Sequence, residues 1–322
     1  MHGLLKKNIT QLIASCLLVG MVTAASAQNK VTKVLVAFPP GGPVDFVART
    51  ISEQLGKELG QTVVVENKPG ANGAIAADAL MKAPADGQTL WLTSVGAVAI
   101  NPALYPNLPY DPVRDLAPVS LVVNNVELLV VHPNAPANSP QEFIQWSKQK
   151  NVTMASSGTG SVPHLAMELL ADATKTDLTH IPYKGAAPAI TDVIAGHVDG
   201  FFGDIPGLMS HIRSGKLKAV GIASTRRHPL FPDIKTFQEI GVGGVDSDNW
   251  YALFTHKGVP SADLERINQA VRRTLINETV RTKLITSGAE PAGSTPSDLA
   301  LILKNDLTKW GRVIREKKVK PD

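Results

Sequence analysis

The sequence predicts an α/β protein built as two lobes, and two observations carry that expectation. Strand-like and helix-like segments alternate along most of the 322 residues, a pattern that sets helices against mainly parallel sheets. A glycine turn between a strand and a helix also occurs twice, far apart in the chain. In the first, 34–37 reads as a short buried strand, and Pro39, Pro40, Gly41 and Gly42 break it. Pro43 then suits the first turn of a helix, where its missing N–H costs nothing. Val47, Ile51, Leu55 and Leu59 follow every fourth residue, an apolar helical stripe. The second turn is Ser156-Ser-Gly-Thr-Gly-Ser161, ahead of an apparent helix over 163–173. Free N–H groups at helix starts behind such turns favour anions. Two of them predict two lobes gripping one small acidic ligand.

The other elements follow in order. The first lobe is expected to hold a β-branched strand at 62–66, an alanine-rich helix at 73–83 and a strand at 88–93 after the Asp86-Gly87 turn. The segment 102–118 carries five prolines and few apolar repeats, and reads as an ordered surface loop. Apolar runs at 119–123 and 128–131 read as strands leaving that lobe. Ser139, Pro140 and Glu142 make a good helix start with a capping box. Strands at 151–155, 178–181, 198–202 and 217–223, with helices at 186–195 and 206–214, complete a second α/β unit. A strand at 250–255 returns to the first lobe, and helices at 261–276, 279–287 and 296–317 finish the chain. The expected division is 28–127 plus 251–322 for lobe 1 and 128–250 for lobe 2.

Lys6 and Lys7, an apolar stretch from about Leu12 to Val22 and the small residues Ala25-Ser-Ala27 form a cleavable export signal over 1–27, which leaves about 295 residues. An uncleaved anchor is the alternative, although the stretch falls short of the roughly 20 apolar residues that span a bilayer. Ile13-Ala-Ser-Cys16 loosely resembles a lipoprotein cleavage site, in an interrupted context. Cys16 is the only cysteine, so a chain cut after Ala27 has no disulfide, thiol nucleophile or cysteine metal site. The net charge is +4, and +2 of it remains without Lys6 and Lys7. No basic, aromatic-interleaved stripe is present, which argues against nucleic acid as a partner. The eight histidines are scattered without metal-ligand spacing. There is no Gly-x-Ser-x-Gly elbow and no phosphate loop, so no catalytic residue, metal or cofactor is assigned.

The residues also match a known pattern. Phe38-Pro-Pro-Gly-Gly-Pro-Val-Asp45, Val64-Val-Glu-Asn-Lys-Pro-Gly-Ala71, Ala99-Ile-Asn-Pro-Ala-Leu104 and Leu108-Pro-Tyr-Asp-Pro112 occur in order. Ile181-Pro-Tyr-Lys-Gly-Ala-Ala-Pro-Ala189, Gly215-Lys-Leu-Lys-Ala219 and Gly288-Ala-Glu-Pro-Ala-Gly-Ser-Thr-Pro296 follow. Together they resemble the periplasmic solute-binding proteins of tripartite tricarboxylate transporters, the Bug family, over nearly all of the exported chain. The resemblance implies a two-lobed type II periplasmic binding fold that closes like a Venus flytrap. It implies capture of a small carboxylate, whether a di- or tricarboxylate, an acidic amino acid or an aromatic carboxylate. It also implies delivery to a membrane permease of one large and one small subunit, and the chain itself is expected to be a monomer.

The candidate ligand residues combine both readings. Phe38, Pro39, Gly41 and Gly42 form the first turn, and a β-branched residue at Gly41 is expected to weaken binding. Asp45 has a sufficient structural reason in the helix dipole, and either lies near the pocket or orients loop N–H groups. Ser94 ends a strand. Ser156, Ser157, Thr159 and Ser161 offer hydroxyls, Gly158 and Gly160 offer N–H groups, and Ser161 also suits a helix cap. His164, Tyr183, Lys184 and Asp204 match family positions in lobe 2, with a buried structural histidine equally consistent with His164. Asp246-Ser-Asp-Asn-Trp250 departs from the family pattern and reads as a solvated loop. Presentation of the ligand to a membrane sensor kinase is an alternative with the same pocket. A hydrolase using Ser157, His164 and Asp204 is a weaker one.

Overall fold

The computed structural model describes residues 30–320, so the expected signal segment 1–27 and Cys16 lie outside the described residues. The chain forms two sheets. The first contains β1 (Val31–Val36), β2 (Thr62–Asn67), β3 (Thr89–Ser94), β4 (Leu116–Asn125), β10 (Asn249–His256) and β11 (Glu290–Pro291), in the order β11-β4-β10-β3-β1-β2. The second contains β5 (Glu127–Val131), β6 (Val152–Ser156), β7 (Leu178–Pro182), β8 (Gly200–Asp204) and β9 (Lys218–Ile222), in the order β7-β6-β8-β5-β9.

Strand alternation explains the layering. Successive side chains leave opposite faces of a strand, and β1 divides accordingly. Leu35 and Ala37 join a core with Trp91, Phe254 and Trp310, while Val34 and Val36 join Val47, Ile51 and Leu55 on the other face. In β5, Leu128 and Val130 pack with Phe201, Leu208 and Met209. Leu129 and Val131 face Phe143, Phe202 and Phe237 instead. Both sheets are thus covered on two faces, as the apolar runs require.

The expectation of mainly parallel sheets is corrected. β1 runs parallel to β2 and β3, and β6 parallel to β7 and β8. β10 is antiparallel to both its neighbours, and so is β5. The physical reason is that these two strands enter their sheets from the other lobe. They arrive without the helical crossover that a parallel neighbour needs. The proline-rich segment is corrected as well. Tyr110 is buried, with its ring edge-on to Trp91 at 5.7 Å, and its hydroxyl donates to the Ala97 carbonyl. β4 begins at Leu116, inside the expected loop.

Four helices matter most to the site: α1 (Pro43–Leu59), α5 (Val162–Thr174), α6 (Ala186–Ala195) and α7 (Ile205–Arg213). Between α1 and α5 lie α2 (Ala74–Met81), α3 (Asn101–Leu104) and α4 (Pro140–Gln149), and α7 is followed by α8 (Ser261–Ile276), α9 (Glu278–Ser287) and α10 (Pro296–Lys317). No helix of the described residues is long and apolar enough to cross a membrane.

Candidate ligand-binding cleft

The strand-to-helix turns of both lobes open into one cleft. The end of β1 and the start of α1 supply Phe38, Pro39, Gly42, Pro43 and Val44, and Ser94 closes β3 beside them. Lobe 2 supplies Ser157, the α5 start at Ser161–Pro163, Ala186 at the α6 start and Asp204 at the end of β8. Asn249 and Tyr251 of β10 complete a narrow cavity of about 30 Å³. A second cavity of about 270 Å³ adjoins it and shares Phe38, Pro39 and Ser157. It is lined further by Asn72, Tyr105, Gly158, Thr159, Tyr183 and Lys184.

Four helix starts therefore border the first cavity, those of α1, α5 and α6 and that of α7, whose N-cap is Asp204. The first N–H groups of a helix have no partner within it. At α1 the preceding Gly42 brings no side-chain cap, and at α6 Gly185 brings none. At α5 the Ser161 hydroxyl accepts from the His164 N–H. The helix dipoles add positive potential where these ends meet. The lining thus offers amide and hydroxyl donors to an anion and, in Phe38, Val44, Val162 and Ala186, apolar walls.

Of the sequence candidates, Phe38, Pro39, Gly42, Ser94, Ser161 and Asp204 line the first cavity. Phe38, Pro39, Gly158, Thr159, Tyr183 and Lys184 line the second. Gly41, Asp45, Ser156, Gly160 and His164 line neither. Gly41 is exposed and spends its N–H on Asp45 Oδ2 at 3.0 Å, and a Cβ added there would touch nothing. Asp45 is buried and also accepts from Arg49 and Asn67. Burial alone would raise its pKa, but Arg49, the Gly41 N–H and Asn67 together hold it below the usual carboxylate value. It shapes the turn from behind.

Ser156, Gly160 and His164 brace the second turn. The Ser156 hydroxyl meets His180 Nε2 at 2.6 Å and accepts from the Gly158 N–H. The Gly160 N–H donates to His164 Nδ1, and the His164 ring stacks on His180 with centroids 3.8 Å apart. The Gly160 carbonyl accepts from Asn72 Nδ2 at 2.8 Å, which ties the two lobes together. Tyr183 donates to Asp192 at 2.6 Å, and burial with that carboxylate pushes its hydroxyl up to about 12.

Asn249, Tyr251 and Glu127 were missed by sequence reasoning. Asn249 Nδ2 donates to both oxygens of Asp204, at 3.2 and 3.1 Å, and the Tyr251 hydroxyl donates to Oδ2. Burial pushes Asp204 up to about 7, against those two donors. Glu127 is fully buried opposite Asp204, and neither of its oxygens reaches a partner at good hydrogen-bond geometry. Burial and the Asp204 charge raise its pKa well above the ordinary value. The available signal was a polar residue inside an otherwise apolar strand, at Glu127 and at Asn249.

A two-lobed α/β frame with its cavity between the lobes is the architecture of periplasmic solute-binding proteins. Residues 47–319 match the family described as the tripartite tricarboxylate transporter family receptor, and the chain belongs to that family. The chain is similar to protein BugT of Bordetella pertussis, with 34% identity and 94% of each chain covered. Among solved structures it is similar to MatC (Rpa3494) of Rhodopseudomonas palustris with bound malate. That match has 34% identity and a TM-score of 0.83 over 88% of this chain and 98% of that one. It is also similar to R. palustris Rpa4515 with adipate, at 29% identity and a TM-score of 0.88 over 92% of this chain and 100% of that one.

Proposed function

We propose that this protein captures a small carboxylate in the periplasm, as a monomer, and hands it to the membrane permease of a tripartite tricarboxylate-type transporter. One observation carries the reading: four helix starts from two lobes, three of them without a side-chain cap bond, border a single cavity. A carboxylate there accepts charge-assisted hydrogen bonds, worth about 1.5–3 kcal/mol each once water is excluded. The structures with malate and adipate support the ligand class. The division into 28–127 plus 251–322 and 128–250 supplies the two jaws. Ser157 lines the cleft, whereas His164 is turned to Gly160 and His180.

The test is calorimetry with a panel of di-, tri- and aromatic carboxylates, together with native mass spectrometry of freshly purified protein for a co-purified acid. Micromolar or tighter binding of one member supports the reading. A panel without any binder, and no acid carried through purification, overturns it.

A further inference from the structure

One feature of the cavity does not suit an anion. Asp204 forms part of its wall, and a bare carboxylate there repels a carboxylate ligand. The fold worsens this. Glu127 and Asp204 are direct partners in the antiparallel β5–β8 register, so their side chains share one face at close range. Both are buried. The groups facing Asp204 are Glu127 from β5 and Asn249 and Tyr251 from β10, and Asp204 is itself the N-cap of α7, whose dipole favours the ionised acid although its side chain makes no cap bond there. Asp248 adds negative potential at Glu127, and itself accepts from Ser224 with Asp246, Arg226 and Lys309 around it. None of the facing groups is a cation in contact with Asp204. Two facing acids without a cation favour holding a proton between them.

The two oxygens of Asp204 are not equivalent. Oδ2 receives the Tyr251 hydroxyl and the Asn249 amide, whereas Oδ1 receives only the longer Asn249 contact at 3.2 Å. Oδ1, with one donor against two, is the oxygen that takes a proton at the smaller cost in hydrogen bonds.

We propose that Asp204 is a specificity-determining residue through which the cavity takes its ligand as a carboxylate plus one proton, the Asp204 O–H donating to the bound anion. The proton comes from solvent and stays on Asp204 while the ligand is held. The inference rests on the proposed carboxylate site and adds the ionic state in which that site works. An anion beside Asp204 raises the pKa of that acid further. Affinity is then full where free Asp204 is already protonated, and falls as pH rises from the free-state titration towards that of the complex.

The experiment is calorimetry with L-malate and adipate between about pH 6.5 and 9, where both ligands are fully ionised, in pairs of buffers with different ionisation enthalpies. The expected result is uptake approaching one proton above neutral pH, with affinity falling about tenfold per pH unit. Asp204→Asn keeps an N–H donor in place of the O–H, so its affinity should be flat with pH and exceed that of the wild type at the alkaline end. Tyr251→Phe removes a donor that favours the ionised acid, so its loss of affinity should begin at higher pH.

Binding of either acid with no proton uptake and constant affinity overturns the inference and leaves the carboxylate site standing. Binding of L-aspartate alone, without proton uptake and lost in Asp204→Asn, assigns Asp204 to an ammonium group and also overturns it. No binding of any carboxylate at any pH overturns both readings.

Discussion

Gly185 stands where the jaws touch, and one methyl group there should hold them apart. Its φ is +112°, and a Cβ built on it would lie 2.6 Å from Cδ of Pro39 across the cleft. Ordinary contact begins at 3.4 Å, so the lobes must separate by about 0.8 Å at that point. The Pro39 ring is tied to the backbone and cannot swing away. A charge-assisted N–H···O bond of about 2.8 Å stretched by that amount lies outside hydrogen-bond range. Losing one such bond costs about 1.5–3 kcal/mol, or roughly 10- to 150-fold in Kd. Gly185→Ala also strains the backbone by about 1–3 kcal/mol, but it does so with the jaws open or shut, and so lowers Tm without favouring either state. The two effects separate in a double-mutant cycle with Pro39→Ala, which deletes Cδ. Calorimetry should show Gly185→Ala binding weakly and the double variant recovering affinity, while Tm stays low in both. Wild-type affinity in Gly185→Ala, or losses that simply multiply in the double variant, would refute the closed contact.

Other perturbations test the frame around that contact. Asn72 has φ 45° and bonds the Gly160 carbonyl of the other lobe. Asn72→Gly keeps the backbone freedom and removes the strap, so Kd should rise about 5-fold in calorimetry while the fold survives. Asp45→Asn should cost about 1–2 kcal/mol of stability in urea melts and leave Kd nearly unchanged. Because the folded pKa of Asp45 is lowered, its contribution is present above the unfolded value and lost as pH falls through the folded one. Glu127 has the opposite sign: its folded pKa is raised, so the protein loses stability as pH climbs above the unfolded value. Glu127→Gln removes that slope, and scanning calorimetry should find Tm raised by about 2–5 °C at pH 8 and little changed at pH 5.

What could be read from the sequence follows from the range of each interaction. The α1 stripe of Val47, Ile51 and Leu55 is a local periodicity, and all three residues are buried in one core. Helix starts behind glycine turns are local too, and they reach the cleft at Gly42, Ser161 and Ala186. Strand direction is not local. β5 and β10 run against their neighbours because of where the chain changes lobe, and no residue in either strand encodes that. The same limit explains the site. Gly41 and Gly42 are adjacent in the chain, yet only the fold decides that the N–H of Gly41 turns to Asp45 while Gly42 faces the cavity. Asn249 and Tyr251 meet Asp204 some 45 residues away in sequence, through a strand pairing that composition cannot announce. The loop reading of 246–250 fails at Asn249 and Trp250, which are buried in β10.

Glycines let the two lobes approach closely at four points. Gly185 faces Pro39, Gly207 faces Pro43, Gly160 faces Leu104 and Gly288 faces Ile205, each pair drawn from opposite lobes. A Cβ would lie 3.1 Å from Pro43 at Gly207 and 2.6 Å from Leu104 at Gly160. Backbone approach of this kind brings amide groups of one lobe to the rim of the other, which side-chain contacts would keep apart. Apolar contact between the lobes runs through Val162, Leu165 and Leu169 of α5, which join the first-lobe core that holds Leu104 and Trp310. The bonds across the cleft are polar and include Asn72 to Gly160, Tyr105 to the Thr159 carbonyl, Asn249 and Tyr251 to Asp204, Arg213 to the Thr286 carbonyl, and the ion pairs Arg226–Glu290 and Lys317–Asp172. Exposed ion pairs contribute at most about 1 kcal/mol. A ligand held between the lobes adds its own bonds to this joint, so a single methyl group that parts them at Gly185 should be felt as lost affinity.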